Sequence, residues 1–201
     1  MSRRRSAALV AAVMVGALAL TAAVSSQAVG RQFTVNSGPT VTAYLSLEGI
    51  EGEATAAGHE SWIEVVAFDW GVHNEIAPIG TQMINRGLRA DFQDLVITKH
   101  IDKASPLLAL TCADGGTIGE AELVFYTGGS DDQPTGIVRL AGLQIRSVAS
   151  ESGSSASGPT EVVSLTFARV EWINYQYDDR GRSSETRAGW DVAGNSSTGE
   201  E

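Results

Sequence analysis

Three histidines, one cysteine and a scatter of carboxylates are the side chains that could do chemistry in this chain. His59, His73 and His100 stand alone in different segments, with no HxH, HExxH or Cys/His spacing that would gather metal ligands. Each is expected at a surface or a strand end. Cys112 is the only cysteine, so no internal disulfide can form. It lies in an apolar run without a cationic or histidine neighbour to make it reactive, and is expected as a small buried hydrophobe. Asp131-Asp132 in a glycine-flanked turn offers too few oxygens for calcium. There is no GxSxG elbow and no glycine-rich phosphate loop with a lysine. Carboxylates are too plentiful for any pair to argue glycoside hydrolysis without a cleft. The Trp and Tyr residues could stack on sugars, but at alternating strand positions core or interface packing is commoner. No catalytic residue, metal or cofactor is expected.

The first segment concerns destination. Arg3, Arg4 and Arg5 precede an apolar run from Ala7 to Val24, and Ser26-Gln27-Ala28 places small residues at the −3 and −1 positions of a cleavage after Ala28. That is the layout of a secretory signal peptide over residues 1–28. An uncleaved anchor is the alternative reading, because the apolar run is nearly long enough to span a bilayer. Ser2-Arg3-Arg4 carries part of a twin-arginine signal, so the export route stays open. Cleavage would leave 173 residues, enough for one domain with a real core. It would also leave 11 basic against 24 acidic residues, a net charge of −13. Such a surface repels phosphate backbones and anionic lipid headgroups. Lys99 and Lys103 are the only lysines and make no basic patch, so neither nucleic acid nor, after cleavage, a membrane is an expected partner.

The remaining pattern is that of strands. Residues 29–41 read as a linker or arm, and Val41, Ala43, Leu45 and Leu47 alternate as the first strand. Residues 48–53 form a turn. A long second strand is expected over 62–72, with Trp62, Val66, Phe68, Trp70 and Val72 on one face, broken only by Glu64. A face so aromatic needs cover from a second sheet or a neighbouring subunit. Residues 74–87 read as a long loop of the kind that is usually functional or interfacial, followed by a third strand over 88–100. Ser105 is expected to cap a short helix with Pro106 at its first position and Gly115-Gly116 at its end. Further strands are expected over 117–127, 136–148 and 161–175. The last two change apolar phase, at Gly142 and between Phe167 and Val170, as strands that turn corners do. Residues 147–159 read as a flexible hairpin tip, 181–185 as an exposed turn and 195–201 as a disordered tail.

Five ordered pieces resemble one family. Tyr44-Leu-Ser-Leu-Glu-Gly-Ile-Glu-Gly-Glu53 and Ile63-Glu-Val-Val-Ala-Phe-Asp-Trp-Gly-Val72 resemble the opening of haemolysin-coregulated protein (Hcp), the tube subunit of type VI secretion systems. Asp94-Leu-Val-Ile-Thr-Lys-His-Ile-Asp-Lys-Ala-Ser-Pro-Leu-Leu108 is similar to that family's most recognisable stretch. Glu161-Val-Val-Ser-Leu-Thr-Phe-Ala-Arg-Val-Glu171 and Gly189-Trp-Asp-Val-Ala-Gly-Asn195 follow in family order. The resemblance covers residues 42–195 as one domain, with a tail at 196–201. It singles out Trp70, Gly71, Asp94, Thr98, Lys99, Asp102, Lys103, Ser105, Pro106, Gly189, Trp190 and Asp191 as motif or assembly positions.

What the resemblance implies is a mostly β fold: a squashed β-barrel of two antiparallel sheets with one short flanking α-helix. It also implies hexameric rings that stack into a hollow tube, with loop 74–87 reaching the next ring and small protein cargo in the lumen. One feature departs from the family. Its tube subunits assemble in the cytoplasm and lack cleavable signals, whereas this chain begins like an exported one. The expectation is therefore an exported, self-assembling structural subunit and not an enzyme. A secreted binding module for a glycan or another protein stands as the alternative.

Overall fold

The computed structural model describes residues 41–74, 89–128, 133–152, 158–181 and 183–198. The expected leader, most of the arm, the loop after Asn74 as far as Leu88, and Asp131-Asp132 lie outside the described residues. So do the middle of the Ser/Gly-rich tip and residues 199–201.

In chain order the elements are β1 (Val41–Leu47), β2 (Ile63–Val65), β3 (Ala67–Asp69), β4 (Val72–Asn74), β5 (Ala90–Phe92), β6 (Leu95–His100), α1 (Ser105–Asp114), β7 (Thr117–Thr127), β8 (Gly136–Glu151), β9 (Thr160–Thr166), β10 (Arg169–Tyr177), β11 (Ser183–Asp191) and β12 (Ser196–Ser197). Every ladder is antiparallel. The architecture is mostly β with a single helix among the described residues, as expected. One path of pairing runs β12-β11-β10-β8-β7-β1-β2, and a second runs from β8 through β9 and β6 to β3. The two paths meet where the chain passes from β2 to β3, and the ladder is interrupted there. β4 and β5 make a separate two-stranded ladder.

The expected strand over 62–72 is three short strands. β2 pairs with β1, and β3 pairs with β6. The single residue between them, Val66, donates its N–H to Thr98 O at 2.8 Å. Changing partner in mid-strand flips the phase: Ile63 and Val65 point into the core before the change, Phe68 and Trp70 after it. Val66 and Val72 are exposed, and Trp62 packs elsewhere, so the five residues expected on one face are divided. The third expected strand likewise breaks at Gln93-Asp94, because β5 pairs with β4 and β6 with β9.

The expected corners exist. At Gly142 (φ 66) β8 turns left-handed, a conformation that a residue without Cβ adopts freely. The second slip is a break: β9 leaves β6 and β10 joins β11 across Phe167-Ala168. Several expected boundaries move outward. Ser147 to Glu151 belong to β8, where Val148 faces Val163 on β9. The turn near Gly181 is complete before Ser183, since Gly181 N–H already bonds Asp178 O at 2.9 Å. β12 pairs with Trp190 and Asp191, so order persists past Asn195, where a disordered tail is expected.

Helix α1 starts one residue earlier than expected. Ser105 is its first residue, Pro106 its second, and Ala104 holds the cap position with no side-chain bond. Asp102 supplies the missing acceptor, taking the Ala104 N–H on Oδ1 at 2.8 Å. Gly115 (φ 68) ends the helix as expected.

The main core lies between the walls, with Leu45, Ile63, Leu95, Ile97, Leu108, Leu123, Leu143, Val163 and Leu165 among its buried members. A second, smaller core lies on the opposite face of the β1–β7–β8–β10 wall. Tyr44, Val124, Tyr126, Ile137 and Ile173 are covered there by the segment after β1 through Ala54 and Trp62. His59 is part of it and is buried, not at a surface: its ring stacks on Tyr44 at 4.6 Å, and Nε2 and the Tyr126 hydroxyl are hydrogen-bonded at 2.6 Å. Cys112 is half-buried against the main core, less enclosed than expected.

Candidate functional site

The motif residues resolve into separate clusters, and the tightest centres on Lys99. β6 alternates Leu95, Ile97 and Lys99 inward, so the strand period carries a cation into the core. The side chain is fully buried. Its Nζ donates to Asp102 Oδ1 at 2.7 Å, the His100 carbonyl at 2.7 Å and Glu161 Oε1 at 2.8 Å, with Ser105 Oγ at 3.2 Å. Glu161 stands opposite Lys99 in the β6–β9 ladder and is 2% exposed. The Ser105 hydroxyl donates to Glu161 Oε1 at 2.7 Å and accepts the Asp102 backbone N–H at 3.1 Å. A buried charge is tolerable only when paired and hydrogen-bonded. Here one ammonium meets two carboxylates, and the network ties β6, β9 and the start of α1 at one point.

The other motif residues stand apart from that cluster. Lys103 reaches the first turn: its N–H donates to Glu53 Oε1 and its ammonium to Glu51 Oε2, both at 3.1 Å. Asp94 accepts from Ser164 Oγ at 2.6 Å and pairs with Arg146 at 2.7 Å. Thr98 marks the Val66 corner through its carbonyl. Pro106 is exposed. Gly71 O accepts the Gln93 N–H at 2.9 Å. Gly189 O accepts the Thr198 N–H at 3.0 Å, and Asp191 Oδ1 accepts the Gly194 N–H at 2.6 Å.

Trp70 and Trp190 belong to an aromatic cluster. Trp70 stacks on Trp172 at 5.3 Å between ring centroids, and Phe92 lies 6.2 Å from Trp172 and 6.4 Å from Trp190. All four pack against the main core and are half-buried. The aromatic cover expected from a second sheet or a neighbour thus comes largely from within the chain.

The outer face carries a row of charges crossing four strands. Glu122 on β7, Arg139 on β8, Glu171 on β10 and Arg187 on β11 are linked at 2.7, 3.5 and 3.2 Å. The Glu122 hydrogen bond raises the Arg139 pKa above its ordinary value, with Glu171 adding to it. His73 pairs with Asp91 at 3.0 Å in the exposed β4–β5 ladder. His100 ends β6, the strand end expected for it. Among the described residues no three of His, Cys, Asp and Glu converge as metal ligands would.

A sequence profile described as "Type VI secretion system effector, Hcp" matches residues 44–174. The chain belongs to the Hcp family. Protein hcp1 of Pseudomonas aeruginosa is 28% identical over 159 residues, which cover 77% of this Hcp chain and 97% of that relative. A solved structure described as a type six secretion system protein superposes with a TM-score of 0.72 at 28% identity, covering 79% of this chain and all of the other. Hcp1 from Salmonella typhimurium shares the fold, with a TM-score of 0.63 at 24% identity over 79% of this chain and 99% of that one. The Lys99 cluster and both aromatic partners Trp70 and Trp172 fall inside the matched Hcp region.

Glu161, Trp172 and Phe92 were not among the residues singled out from sequence. Glu161 had a signal: with Val163 and Leu165 it occupies the inward phase of β9, as Lys99 does on β6. Opposite charges at inward positions of two strands predict a buried pair. Trp172 and Phe92 had none, because their partner Trp70 is brought to them only by the broken path from β3 to β5.

Proposed function

We propose that this chain is an exported structural subunit that forms hexameric rings. The rings stack through the 74–87 loop into a tube whose lumen takes small protein cargo. The observation that carries this reading is the span of the likeness: 28% identity and a TM-score of 0.72 over the whole of a type six secretion system protein. The domain is a full Hcp unit, and the leader-like segment precedes it. Cleavage after Ala28 would release that unit outside the cytoplasm, so its rings would form there and not within a cytoplasmic sheath. The role is structural and not catalytic.

A second reading, a secreted monomeric binding module for a glycan or protein, is favoured by one observation. Trp70, Trp172, Phe92 and Trp190 find partners inside the chain, which removes an exposed aromatic face as a reason to self-associate. Light scattering and negative-stain electron microscopy of the secreted protein separate the two. Six-fold rings support the proposal, and a strictly monomeric particle at every concentration ends it. N-terminal sequencing of the secreted chain tests export, with Val29 expected as the first residue.

A further inference from the structure

Helix α1 is held in an unusual way for a helix that contributes to a core. Of its ten residues only Leu108 is fully buried, while Leu107 and Leu110 are 45% and 60% exposed. Ala104, buried just before it, is the second apolar anchor. A helix of this length is marginal in water on its own. Burial of one leucine and one alanine is small against the entropy of ordering ten residues. Beyond these, Cys112 is half-buried against the core and Gln144 reaches the Gly115 carbonyl at 3.5 Å, while the densest restraint is polar and sits at the start of the helix. Ser105 bonds Glu161, Asp102 caps Ala104, and Lys99 draws Asp102, Glu161 and Ser105 onto one ammonium. At the other end, Gly115 turns left-handed straight into Gly116, whose N–H bonds Thr111 O at 3.1 Å.

We infer that α1 is a flap latched by the Lys99–Asp102–Glu161–Ser105 network, able to open as a unit while the barrel stays folded. The barrel does not need the helix for its ladders: β6, β9 and β8 pair with one another without it. Opening pivots at Gly115-Gly116 and uncovers Leu108 and the β8 surface on which α1 lies. The latch is therefore a device that governs access to an apolar surface, and it works by ion pairing and not by core packing. This inference does not depend on ring formation.

Hydrogen exchange read by mass spectrometry on the natural chain tests it, with Lys99→Met and the milder Ser105→Ala. In both variants the amides of Leu108 to Asp114 are expected to exchange faster, at least tenfold in Lys99→Met and about threefold in Ser105→Ala. Those of Leu123 and Leu140 in β7 and β8 are expected to stay within about twofold of the natural chain in Ser105→Ala. Lys99→Met also strips the cation from Glu161 inside the β6–β9 ladder, so there the helix is expected to accelerate at least about tenfold more than Leu123 and Leu140. Equal acceleration in helix and barrel would mean that the network is ordinary core stability, and no acceleration would mean that packing alone holds α1. Either result overturns the inference. If Lys99→Met does not fold, Ser105→Ala is judged alone by the same comparison.

Discussion

Gly142 and Ala168 face each other where β8 bends and the chain passes from β9 to β10. The Ala168 N–H is shared between the carbonyls of Ala141, at 3.0 Å, and Gly142, at 3.2 Å. A Cβ placed on Gly142 would lie 3.0 Å from the Ala168 methyl. Gly142→Val is therefore expected to cost about 2 kcal/mol, combining the left-handed φ with the crowded approach. Gly142→Asn, which tolerates that φ, should cost less. Urea unfolding followed by tryptophan fluorescence measures both. A valine variant with the natural midpoint would show that the corner does not depend on glycine.

Breaking the buried pair should be far worse than replacing it. Lys99→Met leaves Asp102 and Glu161 without their cation and is expected to destabilise by about 3–5 kcal/mol. Adding Glu161→Leu removes the deeper orphan and should recover most of that loss. The measurement is a double-mutant cycle by chemical denaturation. Additive losses would mean that Lys99 and Glu161 do not act as a pair.

Copies that each carry a net charge of −13 after leader cleavage repel one another. Ring formation is expected to strengthen as sodium chloride rises from about 0.02 M to about 0.5 M, where the screening length falls several-fold. Light scattering across that range gives the answer. Association that weakens with salt would point instead to contacts made by opposite charges.

Trp172 joins Trp70 and Phe92 inside the subunit. Trp172→Ala is expected to lower stability by about 3 kcal/mol, the low end for a large aromatic because the residue is only half-buried. Variant protein that remains folded should associate as the natural chain does. Loss of association without loss of stability would place this tryptophan at a subunit contact.

Burial, then the neighbouring Tyr175, raise the Tyr177 pKa above 10.0, and its hydroxyl donates to Pro134 O at 3.0 Å. A raised value means that the folded chain holds the phenolic proton more tightly than the unfolded one. The contribution is thus present below pH about 10 and is lost as pH climbs through the folded value. Ultraviolet titration should show a late-ionising component that is lost in Tyr177→Phe. An unchanged titration curve in that variant would refute the assignment.

Strand alternation made much of the fold legible. β1 and β7 follow it directly, and the phase changes at Gly142 and after Phe167 announced corners that are present. The third corner, at Val66, escaped because Trp62, Val66, Phe68 and Trp70 read as one face broken only by Glu64, while the buried phase before the corner is that of Ile63 and Val65. Apolar period does not report which strand lies beside a residue, and where the partner changes the buried side changes with it. His59 was misplaced for a related reason: its burial comes from a loop folding onto Tyr44 and Tyr126, a contact with no local signature. Within the motif, Lys99, Asp102 and Ser105 converge on one network, whereas Lys103 and Asp94 serve other neighbours and Pro106 is exposed.

The exchange of partners at Val66 and Ala168 has a mechanical outcome. Each of those chain segments belongs to both walls, so the walls are sewn together by backbone at two seams, and shear between them is borne by covalent bonds before any side chain slides. At the Ala168 seam, prising the walls apart also means unzipping β8 from β9 and β10, whereas at the Val66 seam the chain itself and the Val66–Thr98 bond span the gap.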